Sequence, residues 1–122
     1  MSTQTVATRS TTFKIGWIAL LMISALVALN HIFHFLGLGP PDEAPLYIGW
    51  AAFNLYSSAV LSIPFRRGER WAWYATWIQV VGFAGLIFFN TEIGPYYLGA
   101  AVVMALCLLL TWPAFFQKGS DA

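Results

Sequence analysis

Two histidines, His31 and His34, are the residues of this sequence whose type and spacing best suit chemistry. They stand three positions apart in an apolar stretch, so in a helix they share one face. Imidazole rings in that arrangement can bind a metal, relay a proton or hydrogen-bond a ligand. Ionisable side chains inside a membrane span are costly and are often functional. The same spacing is also expected if both rings reach toward the membrane surface and bind tyrosine hydroxyls or headgroups.

Metal binding, haem binding and proton transfer place different demands on the rest of the chain. Zinc or copper needs three or four ligands, and the soft donors Met104 and Cys107 are predicted to lie deeper, on another helix. A haem with two axial histidines would require a second copy of the chain, because the sequence has no third histidine. A proton relay would require a carboxylate partner. Metal or haem binding through His31 and His34 in an oligomer is therefore kept as an alternative.

Other polar residues are predicted to share the interior of the bundle with the histidines. Two tyrosines begin predicted helices at nearly the depth of the histidines, and their hydroxyls are expected to reach the imidazoles. Two amides lie near the predicted midplane and are expected to hydrogen-bond across helices. We therefore predict a largely apolar pocket with a few polar groups, of the kind that binds lipophilic ligands. Its predicted residues are Asn30, His31, His34, Tyr47, Asn54, Gln79 and Tyr97.

The composition indicates that lipid surrounds these residues. The chain has 122 residues, of which 59% are hydrophobic and 9% are charged, whereas an average soluble domain is about 25% charged. A soluble protein of this size could not bury so much apolar surface in one core. The net charge of +1 gives no indication of nucleic acid binding. We therefore predict an integral membrane protein whose first partner is the lipid bilayer.

Four apolar segments are predicted to be the membrane-spanning elements that position the site. They cover residues 15–36, 46–65, 71–89 and 96–116, each close to the ~20 residues that cross the hydrocarbon layer as a helix. Helices are favoured because an unpaired backbone is prohibitive in lipid, and because no segment alternates as a barrel strand does. Short loops rich in turn residues make consecutive helices antiparallel neighbours. The predicted fold is an all-α four-helix bundle at residues 13–117.

The basic residues predict the orientation of the bundle. The loop between the second and third segments contains Arg66, Arg67 and Arg70, whereas the charged residues of the other two loops are all acidic. The positive-inside rule therefore places both polar tails, residues 1–12 and 118–122, in the cytoplasm, and the protein in the inner (cytoplasmic) membrane. The three arginines are also the predicted contacts of anionic lipid headgroups.

An internal repeat relates the two halves of the chain. Residues 42–51 align with residues 92–101 at a constant offset of 50, so that acidic, Pro, Tyr, aliphatic, Gly and Ala positions coincide. Both copies have the same predicted topology, as expected for two hairpins related by an axis along the membrane normal. Shared helix-start chemistry predicts a similar match without duplication, since acids and Pro are typical of helix starts. Both interpretations stay open on the sequence.

The layout resembles the DoxX-like group of small four-helix bacterial membrane proteins. The resembling features are a first helix that ends on Phe-His-Phe-Leu-Gly at residues 33–37, an Arg-x-Gly-x-Arg-x-Ala loop at residues 66–72, and the four spans. The resemblance implies an accessory subunit beside a quinone-linked oxidoreductase. A fainter similarity is to the four-helix sterol-isomerase-like fold, which uses a glutamate inside its bundle, whereas the spans of this chain contain none.

The sequence thus favours a non-enzymatic membrane protein over an enzyme. We predict an accessory or lipid- or quinone-binding subunit that works in a larger membrane complex or a homo-oligomer. The alternative is a membrane enzyme or oxidoreductase component that acts on a lipophilic substrate, as an isomerase would. A Walker loop, a Gly-x-Ser-x-Gly elbow and a His-Glu-x-x-His motif are not found in the sequence. An ion pump or voltage sensor is disfavoured because no span has a charged residue in its middle.

Overall fold

The structure, a computed structural model, describes residues 9–38 and 41–117. Within these residues it contains four helices joined by short turns, and no strand. The helices are α1 (Thr11–Phe33), α2 (Ala44–Val60), α3 (Arg70–Gly85) and α4 (Gly94–Phe116). Most of the two predicted polar tails, at residues 1–8 and 118–122, lies outside the described residues.

All four helices, with the turns that extend them, are long and apolar enough to cross a membrane, with mean hydropathies of 1.3 to 2.1. The prediction of an all-α four-helix membrane bundle is therefore confirmed, and the chain is a multi-pass membrane protein. α1 begins at Thr11, inside the predicted tail, because the Ser10 hydroxyl accepts a hydrogen bond from the backbone N–H of Phe13 at 3.1 Å. The spans are Thr11–Gly37, Ala44–Phe65, Arg70–Phe88 and Gly94–Phe116.

The helices are arranged around the bundle in the order α2, α1, α4, α3. α1 packs closely against both α2 and α4, and α4 packs closely against α3. The seam between α2 and α3 is the loosest of the four. At the seam between α1 and α4, a Cβ on Gly16 would lie 2.9 Å from the Cys107 carbonyl oxygen, so glycine allows these two backbones to touch.

The two ends of the bundle differ in chemistry. We call the end with Arg66, Arg67 and Arg70 the arginine end, and the end with His31 and His34 the histidine end. Between Lys14 and Arg66, and between Arg70 and Lys118, the sequence contains no Lys or Arg, so no basic residue other than histidine stands at the histidine end.

Aromatic rings fill the core at the arginine end. The ring of Phe13 on α1 lies 6.1 Å from the ring of Phe65 and 6.2 Å from the ring of Phe115, measured between centroids. The rings of Phe65 and Phe115 meet edge to face at 4.8 Å. These two phenylalanines are related by the offset of 50 in the sequence. Two side chains at equivalent positions of the repeat thus meet in the core, and whether the halves arose by duplication stays open.

Each hairpin also contains one hydrogen bond from a tryptophan indole of its first helix to a backbone carbonyl of its second helix. Trp17 on α1 donates to the Leu61 carbonyl at 2.8 Å, and Trp73 on α3 donates to the Leu108 carbonyl at 3.0 Å. Indole N–H groups in an apolar environment are costly to leave without an acceptor. These two bonds thus hold the helices of each hairpin together near the arginine end.

Candidate ligand-binding site

His31 lies inside the bundle at the histidine end and is only 6% exposed. Its Nδ1 lies 2.8 Å from the Val27 carbonyl oxygen. Because a carbonyl oxygen can only accept, Nδ1 carries the hydrogen of this bond. The opposite ring nitrogen, Nε2, lies 3.3 Å from the Tyr97 hydroxyl, which is oriented to donate to it. The predicted contact between a histidine and a tyrosine hydroxyl is thus present for His31 and Tyr97.

Three aromatic side chains surround the His31 ring. The rings of Tyr47 and Tyr97, which are repeat-related, both lie 6.3 Å from it between centroids and are tilted by 35° and 36°. The Trp50 ring lies 5.8 Å away and is nearly parallel to the imidazole, at 18°. His31 is therefore held between α2 and α4 by stacking as well as by its two hydrogen bonds.

His34 and Tyr47 lie nearer the membrane surface and differ from expectation in one respect. Their rings are 5.0 Å apart, so the structure does bring them together. The Tyr47 hydroxyl, however, donates to the Glu43 carboxylate at 2.9 Å rather than to a histidine. The expectation that both tyrosine hydroxyls reach the histidines is therefore wrong for Tyr47, because Glu43 stands four positions earlier, in the turn directly before α2.

Asn30 does not face into the bundle as predicted. It is exposed on the outer side of α1, and the part of it that meets the site is its backbone carbonyl, which accepts from His34 Nδ1 at 2.8 Å. Consecutive residues of a helix point about 100° apart, so a fully buried His31 turns Asn30 toward lipid. Fewer polar residues of α1 thus face the interior of the bundle than the pattern of the sequence indicated.

A second polar cluster lies deeper in the bundle and joins three helices. The Gln79 amide nitrogen on α3 donates to the Asn54 side-chain oxygen on α2 at 2.9 Å, and the Ser24 hydroxyl on α1 donates to the Gln79 oxygen at 3.0 Å. All three residues are at most 1% exposed. The prediction that Asn54 and Gln79 hydrogen-bond across helices is confirmed. Ser24 was missed as a polar partner, because serine at helical spacing is also typical of packing positions.

A groove opens between α2 and α3 at the histidine end. It has a volume of about 420 Å³ and an almost wholly apolar lining. Gly49 on α2 and Gly82 on α3 leave it open, since a Cβ on either glycine would meet nothing within 4 Å. Its lining residues are Pro45, Leu46, Gly49, Trp50, Phe53, Ile78 and Gly82.

The length of the groove is close to the thickness of one leaflet of hydrocarbon. From Pro45 to Phe53 the α2 helix rises about 12 Å, close to half of the ~30 Å hydrocarbon layer. Phe53 and Ile78 line its deep end, and the next residue on each helix, Asn54 and Gln79, forms the hydrogen bond described above. That bond ties α2 to α3 one residue beyond the deep end of the groove, and we call this level the floor of the groove.

The groove is displaced from the predicted pocket. The predicted residues form the two polar clusters that lie behind its wall, and Trp50 is the residue that connects them to it: its ring stacks on His31 and also lines the groove. The sequence did not predict the groove, because the groove exists where Gly49 and Gly82 have no side chains to fill the space. The signal that could have found it is the pair of glycines, Gly49 and Gly82, in otherwise bulky apolar segments.

The arginines of the loop at the other end are exposed and partly supported by aromatic rings. The Arg66 guanidinium lies 5.5 Å from the Trp17 ring centre, and the Arg70 guanidinium lies 5.6 Å from that of Phe116. Arg70 Nε also donates to the Phe115 carbonyl at 3.0 Å. Arg67 is exposed at the tip of the loop. That these arginines contact lipid headgroups stays a prediction.

A metal site within one chain has no ligand set in the described residues. Across residues 9–38 and 41–117, no group of three or more His, Cys, Asp or Glu side chains could hold a metal ion. The Nδ1 atoms of His31 and His34 are both bonded to backbone carbonyls, which leaves one nitrogen on each ring for any other partner. A site shared between two copies of the chain is the form of the alternative that stays a prediction.

The chain was compared with protein-family models, with curated proteins and with solved structures, and none of them matches it. The resemblance to the DoxX-like group therefore stays a prediction. What the protein does must be argued from the groove and the two polar clusters.

Proposed function

We propose that this protein is a non-enzymatic binding subunit of the membrane, which takes up a lipophilic molecule from one leaflet into the groove between α2 and α3. The observation that carries the proposal is the groove itself: an apolar space of about 420 Å³ that opens along a lipid-facing seam. Volumes of about 300–1,000 Å³ with a mostly apolar lining are typical of sites for small ligands. We propose that it works in a larger membrane complex or as a homo-oligomer.

The chemistry of the lining favours binding over catalysis. The groove residues are apolar apart from the Trp50 indole, and none of them is an acid, a base or a nucleophile. His31, the nearest titratable side chain behind the wall, has both ring nitrogens in hydrogen bonds and its face covered by Trp50. A lipophilic substrate in the groove would thus meet no group positioned for proton transfer. An enzyme acting on such a substrate is the weaker alternative.

The orientation belongs to the same proposal. The positive-inside rule favours a cytoplasmic arginine end, because Arg66, Arg67 and Arg70 all stand there and the histidine end has no Lys or Arg. With that orientation in an inner membrane, the groove opens to the leaflet away from the cytoplasm. The ligand would then be a lipid or lipid-soluble molecule of the outer leaflet.

The proposal can be tested by filling the groove. Gly49→Leu and Gly82→Leu each place a large side chain in space that is now empty, so neither change is expected to disturb helix packing. Gly99→Leu is the matched control: Gly99 is the repeat equivalent of Gly49, it also has open space around it, and it lies outside the groove. Lipophilic molecules that co-purify with each variant are extracted and quantified by mass spectrometry.

The wild type and Gly99→Leu are expected to retain the same lipophilic molecule at a fixed stoichiometry, and the two groove variants are expected to lose it. Circular dichroism and gel filtration check that all variants fold. Retention of the molecule by both groove variants, or a wild type that carries no defined lipophile, would contradict the proposal.

A further inference from the structure

We propose, on the basis of the proposed lipophile-binding function, that the ligand of the groove is an amphiphile with a positively charged head, such as an amine or a quaternary ammonium group. The hydrocarbon body occupies the space between α2 and α3, and the head stands at the mouth of the groove. The mouth is formed where α2 begins, beside Asp42 and Glu43.

Charge at the mouth is negative. Asp42 and Glu43 are exposed in the turn Pro41–Glu43, directly before the first groove residues, Pro45 and Leu46. Neither carboxylate lines the groove itself, but both precede its first residue by no more than three positions. No Lys or Arg stands at this end of the chain to neutralise the two carboxylates. An ammonium group at the mouth would therefore be attracted, and a phosphate or carboxylate head would be repelled.

The positive end of the α2 helix dipole opposes the negative field of Asp42 and Glu43 but does not cancel it. A helix N-terminus acts as roughly half a positive charge, and two carboxylates carry about two negative charges, so the mouth remains negative. Acidic residues at a helix start are also common for stability alone. The chain contains a natural comparison for that explanation, because Glu92, the repeat equivalent of Asp42, precedes α4, which contributes no residue to the groove.

An aromatic ring in the groove suits the same head. Trp50 lines the groove, whereas the Tyr47 ring packs against His31 and His34 on the side of α1. The faces of Trp rings attract cations, most strongly where water is excluded. The site thus combines two carboxylates near its mouth with an indole in its wall, and the rest of the groove is apolar. This combination distinguishes a cationic amphiphile from a neutral lipophile and from an anionic lipid.

The test compares three probes that share one chain and differ in the head: dodecyltrimethylammonium, dodecanol and dodecanoate. Each is titrated into the full chain in maltoside micelles at a constant detergent concentration and low salt. Binding is followed by the indole N–H resonance of Trp50, which is identified by its loss in Trp50→Phe. We expect dodecyltrimethylammonium to bind more tightly than dodecanol, and dodecanol more tightly than dodecanoate. Asp42→Asn and Glu43→Gln are each expected to lower the affinity for the cationic probe by up to about fivefold, which is the upper end for one exposed ion pair.

The control variants distinguish the effect of the charged head from the effect of the groove and from that of an acidic residue at a helix start. Glu92→Gln is expected to leave the affinities of all three probes unchanged, and Gly49→Leu is expected to abolish the response to all of them. Equal affinities of the three probes, or tighter binding of dodecanoate, would overturn the cationic head but leave the groove as a lipophile site. A Trp50 resonance that responds to none of the probes would overturn the proposed function as well. If the Asp42→Asn/Glu43→Gln double variant still bound the cationic probe more tightly than dodecanol, the assignment of the head would also be overturned.

Discussion

The hydrogen bonds of Gln79 should couple three helices energetically, and a double-mutant cycle can measure the coupling. Gln79→Leu keeps a similar side-chain volume, so cavity formation contributes little to its effect. The change removes two interhelical hydrogen bonds, one from the Ser24 hydroxyl and one to the Asn54 oxygen. It also leaves the Asn54 oxygen without this donor at a site that is 0% exposed.

The expected magnitude follows from these contacts. Interhelical hydrogen bonds in membrane proteins contribute about 0.6 kcal/mol on average and up to about 1.7 kcal/mol. Leaving a buried acceptor without a partner adds about 1–3 kcal/mol. With two such bonds at the average value, we therefore expect Gln79→Leu to lower the free energy of unfolding by about 2–4 kcal/mol. Adding Asn54→Leu removes the unpaired acceptor, so the double variant should be more stable than the sum of the single effects predicts, by about 1 kcal/mol or more.

Unfolding is followed by far-ultraviolet circular dichroism as sodium dodecyl sulfate is added to maltoside micelles, with all variants measured under the same conditions. Ser57→Ala is the control, because the Ser57 hydroxyl donates within its own helix, to the Phe53 carbonyl at 3.0 Å. It is expected to change stability by less than about 0.5 kcal/mol. If Asn54→Leu and Gln79→Leu proved additive within about 0.3 kcal/mol, the two amides would not be coupled and the floor of the groove would be wrongly assigned.

Three further predictions concern the helix seams, the orientation and the arginine end. Gly16→Ala should lower the free energy of unfolding by about 1–3 kcal/mol, because the added Cβ would lie 2.9 Å from the Cys107 carbonyl oxygen; the same change at Gly99, which has open space, should have almost no effect in the same unfolding assay. A cysteine at position 43, introduced by Glu43→Cys in a Cys107→Ala background, should react with an impermeant maleimide from the non-cytoplasmic side of intact cells, and labelling only from the cytoplasm would refute the orientation. Arg67→Gln should weaken the retention of phosphatidylglycerol in native mass spectrometry by about fivefold, and unchanged retention would contradict the headgroup assignment.

The parts of the structure that were predictable from the sequence are those that a single helix determines by itself. Hydrophobic length and turn residues predicted four spans, and the start of α1 differs only because the Ser10 cap extends it outward. Asn54 and Gln79 were expected to bond across helices because an amide in lipid must find a partner, and both are buried at similar depth. The contact between His31 and Tyr97 follows from the same requirement.

The parts that were not predictable depend on how close neighbouring helices stand. A helical face can be computed from spacing, but Asn30 and His31 are adjacent, and only the packed bundle decides which of them is buried. Tyr47 had two acceptors within reach, and the local one, Glu43, prevails. The groove exists because α2 and α3 stand apart. The positions of polar residues in a sequence do not indicate the distance between two helix backbones.

The open seam can be compared with the seam that the sequence repeat makes equivalent to it. If the hairpins α1–α2 and α3–α4 are related by an axis along the membrane normal, the seam between α1 and α4 is equivalent to the seam between α2 and α3. Gly16 closes the first by letting α1 touch the backbone of α4. The second contains Gly49 and Gly82, which face empty space instead of a neighbouring backbone. Glycine thus brings helices together at one seam and leaves room at the other. The difference between the two seams lies in what each glycine faces, a backbone at Gly16 and empty space at Gly49 and Gly82.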